Sequence, residues 1–178
     1  FDEQEIPYTG AGAVASRVAF DKFLSKRRFV EDGVPTPRYA EVPVNHLPAA
    51  EIEFDFVEAD GKVEEKAFLR FPELEGHPGF SLPVVIKPPR EGSSVGVHIV
   101  ETSEGIEKAF EDVSKFGDSV LVEECVKGRE LTVGILGSEA LPVVEICPEG
   151  GFYDMNNKYP WLESKGKTRY FCPADLSP

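Results

Sequence analysis

The sequence predicts an α+β chain (loosely α/β) of mostly antiparallel sheet with flanking helices. Three observations carry that prediction. Helical and strand blocks alternate along the chain. The strands come largely in hairpin-linked pairs with tight turn signals. No internal repeat or low-complexity segment interrupts 178 residues of ordinary globular usage, 41% hydrophobic and 29% charged.

Residues 1–12 read as loop, with Pro7, Gly10 and Gly12. From Ala13 to Phe20 the composition favours helix, with Val14 and Val18 spaced i,i+4. Asp21 is the expected N-cap of a second helix whose apolar residues are Phe23, Leu24, Phe29 and Val30. Gly33 followed by Pro35 stops it, and a strand is expected near residues 39–44. Ile52, Phe54 and Phe56 then alternate with acids, Asp60-Gly61 is a hairpin turn signal, and residues 63–71 return. This reads as an exposed, acidic hairpin inserted at about 45–80. Strands are expected at 82–88, 97–100 and 120–124. Between the last two, Ser103 is the expected cap of a helix with the face Ile106, Phe110 and Val113. Gly128 breaks the chain, and 130–136 with 140–147 form a second hairpin around Gly137. Residues 148–178 read as irregular.

Charge and composition exclude several function classes. The formal net charge is −13, whereas a phosphate-backbone binder is normally basic, so no nucleic-acid partner is expected. No apolar run approaches the ~20 residues of a membrane span. No signal-type start is visible, and a cytoplasmic protein is expected. Cys125, Cys147 and Cys172 are odd in number and far apart, which fits a reducing compartment. His46, His77 and His98 form no zinc-type cluster, and no metal-ligand set is assigned. The chain starts at Phe1 without methionine and stops at Pro178 in mid-motif, so a piece of a longer protein is expected.

The most informative stretch is Arg90-Glu91-Gly92-Ser93-Ser94-Val95-Gly96. Glycines let backbone N–H groups turn toward an anion, and hydroxyls add donors. The same string also suits a plain serine-rich hairpin loop. Lys87 ends the apolar run Val84-Val85-Ile86, either to reach water or as a point charge for a diphosphate. Lys22 falls in a helix first turn, where the macrodipole disfavours a cation, so it is either a solvated lysine or a functional exception. Glu123, Glu124 and Glu130 are either acceptors for a ribose or adenine, or solvated charges.

The order of these blocks is more specific than any one of them. Ile6-Pro7-Tyr8-Thr9-Gly10, Asp21-Lys22, Gly33-Val34-Pro35-Thr36-Pro37 and Val85-Ile86-Lys87-Pro88 come first. The Gly/Ser stretch, Leu121-Val122-Glu123-Glu124 and Gly128-Arg129-Glu130-Leu131-Thr132-Val133 follow. Leu141-Pro142-Val143-Val144-Glu145-Ile146, Gly151-Phe152-Tyr153-Asp154, Lys158-Tyr159 and Cys172-Pro173-Ala174 complete the set. Together they resemble the D-alanine–D-alanine ligases of the ATP-grasp superfamily. The likeness covers nearly the whole chain outside roughly 45–80.

The resemblance implies an ATP-grasp fold with a central lobe at 1–127, the truncated start of a C-terminal lobe at 128–178, and nucleotide between the lobes. Lys22 and Lys87 would hold ATP phosphates. Residues 91–96 would close over them, with Glu91, Ser93, Ser94 and Val95 at the nucleotide. Glu123, Glu124 and Val126 would belong to the hinge beside adenine, with Phe152 against the base and Glu130 on the ribose. Lys158 and Tyr159 would fold over the site, and Tyr159 with Ser93 would position the first D-alanine. The implied reaction joins two D-alanines through an acyl phosphate at the expense of ATP, for peptidoglycan. Lysines and Mg²⁺ are what such a reaction needs. The Mg²⁺ ligands are expected past Pro178, so this piece is expected to be inactive alone. The family is commonly dimeric.

Glu124 and Cys125 depart from the lysine and aromatic common at those positions of the family, which puts side-chain contacts to adenine in question. Two other readings compete. Another ATP-grasp carboxylate–amine ligase would share the lysines and the glycine loop, and a non-catalytic nucleotide-binding module would lack the downstream residues.

Overall fold

A computed structural model describes residues 2–159 and 167–176, and it divides into two compact units, 1–125 and 126–178. In the first unit α1 spans Ala13–Phe20 and α2 Lys22–Glu31. Asp21 separates them. Its carboxylate accepts from the Phe23 and Leu24 N–H groups at 3.0 and 3.2 Å, the N-cap that the sequence predicts. Gly33 ends α2 at φ 68°, where the Val34 N–H returns to the Phe29 carbonyl at 2.8 Å.

The apolar face expected of α2 is corrected. Phe23 is buried, but Phe29 and Val30 are 43% and 62% exposed, and the second buried position belongs to Lys26. A helix buries the stripe one turn apart, and here Phe23 and Lys26 define it.

Strand β1 (Tyr39–Pro43) leads through a 3₁₀ turn at Val44–Ala49 into β2 (Glu51–Ala59) and β3 (Lys62–Arg70). Asp60 and Gly61 adopt φ 52° and 70°, the left-handed pair of a two-residue hairpin turn. Strands β4 (Phe80–Ser81), β5 (Val84–Lys87) and β6 (His98–Val100) follow, then α3 (Glu104–Val113) and β7 (Ser119–Glu124). Ser103 is already helical and makes no side-chain cap to the backbone, which corrects that expectation. Its turn instead carries acids, Glu104 and Glu107, which suit a helix N-terminus.

Two antiparallel sheets result, ordered β1-β7-β5-β6 and β2-β3-β4. Val42, Val84, Ile86, Val120 and Val122 cluster with Ile106, Ala109 and Val113 of α3 and with Leu69, Phe71 and Phe80. Strand β7 is buried on both faces: Val120 and Val122 enter this core, while Leu121 and Glu123 point the other way.

The second unit is smaller. Strands β8 (Glu130–Thr132), β9 (Ile135–Leu136), β10 (Glu139–Ala140) and β11 (Val144–Pro148) realise the expected second hairpin in broken form. Strands β9 and β10 pair around Gly137, and β8 pairs with β11. A short helix α4 (Met155–Lys158) and strand β12 (Thr168–Phe171) lie where an irregular tail is expected. Strand β12 completes the sheet order β12-β11-β8. The mixture of helices and antiparallel sheets is α+β. No described helix is long and apolar enough to cross a membrane.

Candidate functional site

The first unit brings Lys87 and Glu123 to one face of the β1-β7-β5-β6 sheet, while Glu124, next in β7, points to the other. Register explains how. Lys87 pairs with Leu121, Val85 with Glu123, and Tyr39 with Glu123, so alternation puts Lys87, Glu123 and Tyr39 on the face opposite the core. Helix α2 supplies Lys22 and, one turn later, Lys26.

Glu123 is the hub. It is 6% exposed, and its two carboxylate oxygens are divided between two lysines. Lys87 Nζ donates to one oxygen, and Lys26 Nζ stands 2.8 Å from the other. Lys26 is equally buried. Its ammonium also donates to Thr36 Oγ1 at 2.9 Å and the Pro37 carbonyl at 3.1 Å, and it lies 4.8 Å from the centre of the Tyr39 ring. Lys26 is the residue that sequence reasoning missed. A lysine inside an amphipathic helix reads as solvated, and only its spacing from Phe23 hints otherwise.

Lys22 meets the loop directly. Its N–H donates to the Pro89 carbonyl at 3.0 Å, and its Nζ donates to the Glu91 carbonyl. Burial holds its ammonium below the ordinary lysine range. The positive charge of Lys87 adds to this, while Glu91, Glu123 and Asp21 pull the other way. Lys22 thus meets the start of the Gly/Ser loop within reach of the charge of Lys87. Arg90 ties the loop's start to α2 through Asp21, Nε to Oδ2 at 2.8 Å. Burial would raise the Asp21 carboxyl, but the Arg90 bond and the Leu24 and Phe23 N–H groups outweigh it, and its pKa is lowered.

The loop itself is tightly wound. Val95 N–H bonds the Gly92 carbonyl at 3.0 Å, and Val97 N–H bonds that of Ser94 at 3.3 Å. Ser93 and Ser94 both sit at positive φ, 53° and 62°. Non-glycine residues hold such angles at a cost of about 1–3 kcal/mol each, and they collect at ligand clamps. Gly96 has no alternative: φ is +63°, and an added Cβ would lie 2.8 Å from Pro88 Cγ. Gly92, by contrast, is not in the left-handed region.

Glu124 ends β7 half-buried, 3.6 Å from Arg38 Nη2, with its N–H on the Arg38 carbonyl. Its charge therefore faces a cation of the same unit.

The second unit carries Val126, Glu130, Phe152, Lys158 and Tyr159. Val126 and Glu130 are exposed, and Phe152 is half-buried. Tyr153 stands near three of them, with the charges of Glu130 and Tyr159 acting on it and the Lys158 ammonium beside its ring. Its hydroxyl shares a 2.7 Å hydrogen bond with that of Tyr170, and Lys158 Nζ lies 5.1 Å from its ring centre. The Tyr170 bond pushes the Tyr153 hydroxyl up to about 12, with burial and the charges of Tyr170, Glu130 and Tyr159 adding to it. Arg129 grips Glu145 with two bonds of 2.6 Å across the β8–β11 pair.

Among the described residues, no three His, Cys, Asp or Glu side chains gather as a metal site. The cysteines are free thiols.

Comparison with known proteins adds an independent finding. The model of the D-ala D-ala ligase C-terminus family matches residues 47–178. A D-alanine–D-alanine ligase of Janthinobacterium sp. (strain Marseille) is 39% identical over 173 residues, 95% of this chain and 46% of that protein. The crystal structure of D-alanine–D-alanine ligase from Bacillus anthracis superposes with a TM-score of 0.63 at 25% identity, over 99% of this chain and 48% of that one. The same enzyme complexed with ATP gives a TM-score of 0.62 at 22% identity, over 99% and 46% of the two chains. The chain thus spans about half the length of the relatives it matches.

Proposed function

The chain belongs to the D-Ala–D-Ala ligase C-terminus family and has the ATP-grasp fold. From that premise we propose that it is the nucleotide-holding part of an ATP-dependent D-alanine–D-alanine ligase, and that the whole protein makes D-alanyl-D-alanine for peptidoglycan. One observation supports the reading most. Lys22 and Lys87, 65 positions apart in the sequence, come within reach of each other's charge, and Lys22 bonds the Glu91 carbonyl at the start of the loop that carries the strained Ser93 and Ser94. Bringing two ammonium groups together is unfavourable unless an anion or a carboxylate answers them. Glu123 answers in part, and the phosphates of ATP answer the remainder.

In this reading Lys22 and Lys87 neutralise the phosphates, and residues 91–95 close over them with Ser93 and Ser94 as donors. The carboxylate of the first D-alanine attacks the γ-phosphorus, giving an acyl phosphate and ADP. The amine of the second D-alanine then attacks the acyl carbon, and phosphate leaves with the C–O electrons. The contributions of this chain are placement and charge neutralisation. Because the Glu123 carboxylate is engaged by lysines, adenine recognition falls to the backbone of 123–126, with Phe152 as the apolar wall and Glu130 on the ribose. Lys158 and Tyr159 close the site, and Tyr159 and Ser93 orient the first D-alanine. The described residues do not fit Mg²⁺, and no step here passes through a metal. A dimer and a cytoplasmic location accompany this reading.

Calorimetry with Mg-ATP tests it. The chain is expected to bind, and Lys87→Ala to bind at least about tenfold more weakly, as for loss of a charge-assisted phosphate contact. Equal binding by both would refute the phosphate role of Lys87.

A further inference from the structure

Lys26 is too deep to touch a ligand, yet it is built into the charged face with unusual care. Its ammonium donates to two acceptors, Thr36 Oγ1 and the Pro37 carbonyl, and forms an ion pair with Glu123 Oε2 at 2.8 Å. The aromatic ring of Tyr39 closes the remaining side. A buried ion pair is poor evidence for stability, because an apolar pair of the same volume does as well or better. The arrangement therefore calls for another purpose.

Its geometry supplies one. The carboxylate of Glu123 bridges Lys26 and Lys87. Were Glu123 paired with Lys87 alone, the two charges would cancel, and Lys87 would present no net charge to an anion. With Lys26 in place, two ammonium groups stand against one carboxylate. We propose that Lys26 is a positioning residue: it holds Glu123 in one orientation and cancels its charge, so that Lys87 is both held on the sheet by Glu123 and electrostatically available for phosphate. This rests on the reading of Lys87 as a phosphate ligand.

Four chains, all checked by circular dichroism, are titrated with ATP and with AMP: wild type, Lys87→Ala, Lys26→Met, and Lys26→Met/Glu123→Gln. Lys26→Met is expected to lose about tenfold or more in ATP affinity, because Glu123 then claims Lys87 for itself, and to lose less for AMP. In the double variant the buried Glu123 carboxylate is neutralised together with its Lys26 partner, and the ammonium left without it, Lys87, is the more exposed of the two lysines at 19% of its side chain. The double variant therefore folds even where the single variant fails, and ATP affinity returns to within about threefold of wild type. A folded double variant that still binds ATP tenfold more weakly overturns the proposal, since Lys26 would then be merely structural. So does a folded Lys26→Met that binds like wild type while Lys87→Ala does not. If Lys87→Ala binds like wild type, the phosphate reading fails first and the inference with it.

Discussion

The same residue types do opposite things in two regions of the first unit. On the β2–β3 hairpin, Arg70 pairs with Glu53 and with Asp55, the latter at 3.0 Å, and those acids are about half exposed. On the covered face of β5 and β7, Lys26, Glu123 and Lys87 form a pairing of similar length whose central carboxylate is sealed from water. The hairpin sheds its charges into solvent and keeps Phe54 and Phe56 there too, 61% and 74% exposed. The sheet buries its charges and arranges a partner for each. An ion pair in water is worth little, whereas a buried one becomes costly as soon as a member is removed. Burial, and not the count of salt bridges, separates a decorated surface from a candidate site.

Several substitutions break or sharpen that contrast. The largest effect is expected at Lys26→Met, which leaves Glu123 buried against a single cation. Urea denaturation should show a loss of about 3 kcal/mol, and the double change Lys26→Met/Glu123→Gln should recover most of it. Gly96→Ala comes next. The new methyl meets Pro88 and the positive φ is strained, so about 2 kcal/mol should go, with increased proteolysis confined to the loop.

Asp21→Ala removes a helix cap and the Arg90 tether, for about 1 kcal/mol in the same denaturation series. Its pH signature has a definite sign. The Asp21 carboxyl is held below its ordinary 3.8, so its contribution is present above that value and is lost as pH falls through the lower folded-state value. Denaturation midpoints below about pH 4 should therefore fall less steeply in Asp21→Ala than in wild type. Smallest of all is Glu53→Gln on the hairpin, expected within about 1 kcal/mol of wild type.

Local rules made much of the fold readable in advance. Asp21 caps α2 because an aspartate side chain answers the first free N–H groups, and Asp60-Gly61 turns the hairpin because both residues tolerate positive φ. Neither needs tertiary information. What required the fold was the destination of a side chain. Phe29 and Val30 read as core but lie outside, and Lys26 reads as surface but lies inside, because the stripe of α2 is chosen by the sheet it covers. A mixture of glycine, aromatic and charged residues makes 148–178 read as irregular. Yet β12 pairs with β11 over Glu145–Phe171 to Pro148–Thr168, a long-range contact with little local signal. Of the candidate site, Lys22, Lys87 and the Gly/Ser loop were legible from family likeness and loop chemistry. The Lys26–Glu123 pairing was not, since neighbours across α2 and β7 are 97 positions apart.

The central claim is that Lys22 and Lys87 together hold phosphate, and lysine footprinting tests it most directly. Burial and the charge of Lys87 lower the Lys22 ammonium, so at any given alkaline pH more of it is free amine than in an ordinary lysine. Acylation of the intact chain with and without Mg-ATP, mapped by mass spectrometry, should show protection at Lys22 and Lys87 and none at the exposed Lys115. Unchanged labelling of Lys22 and Lys87 at saturating ATP, or protection that falls on Lys115 equally, would contradict the account.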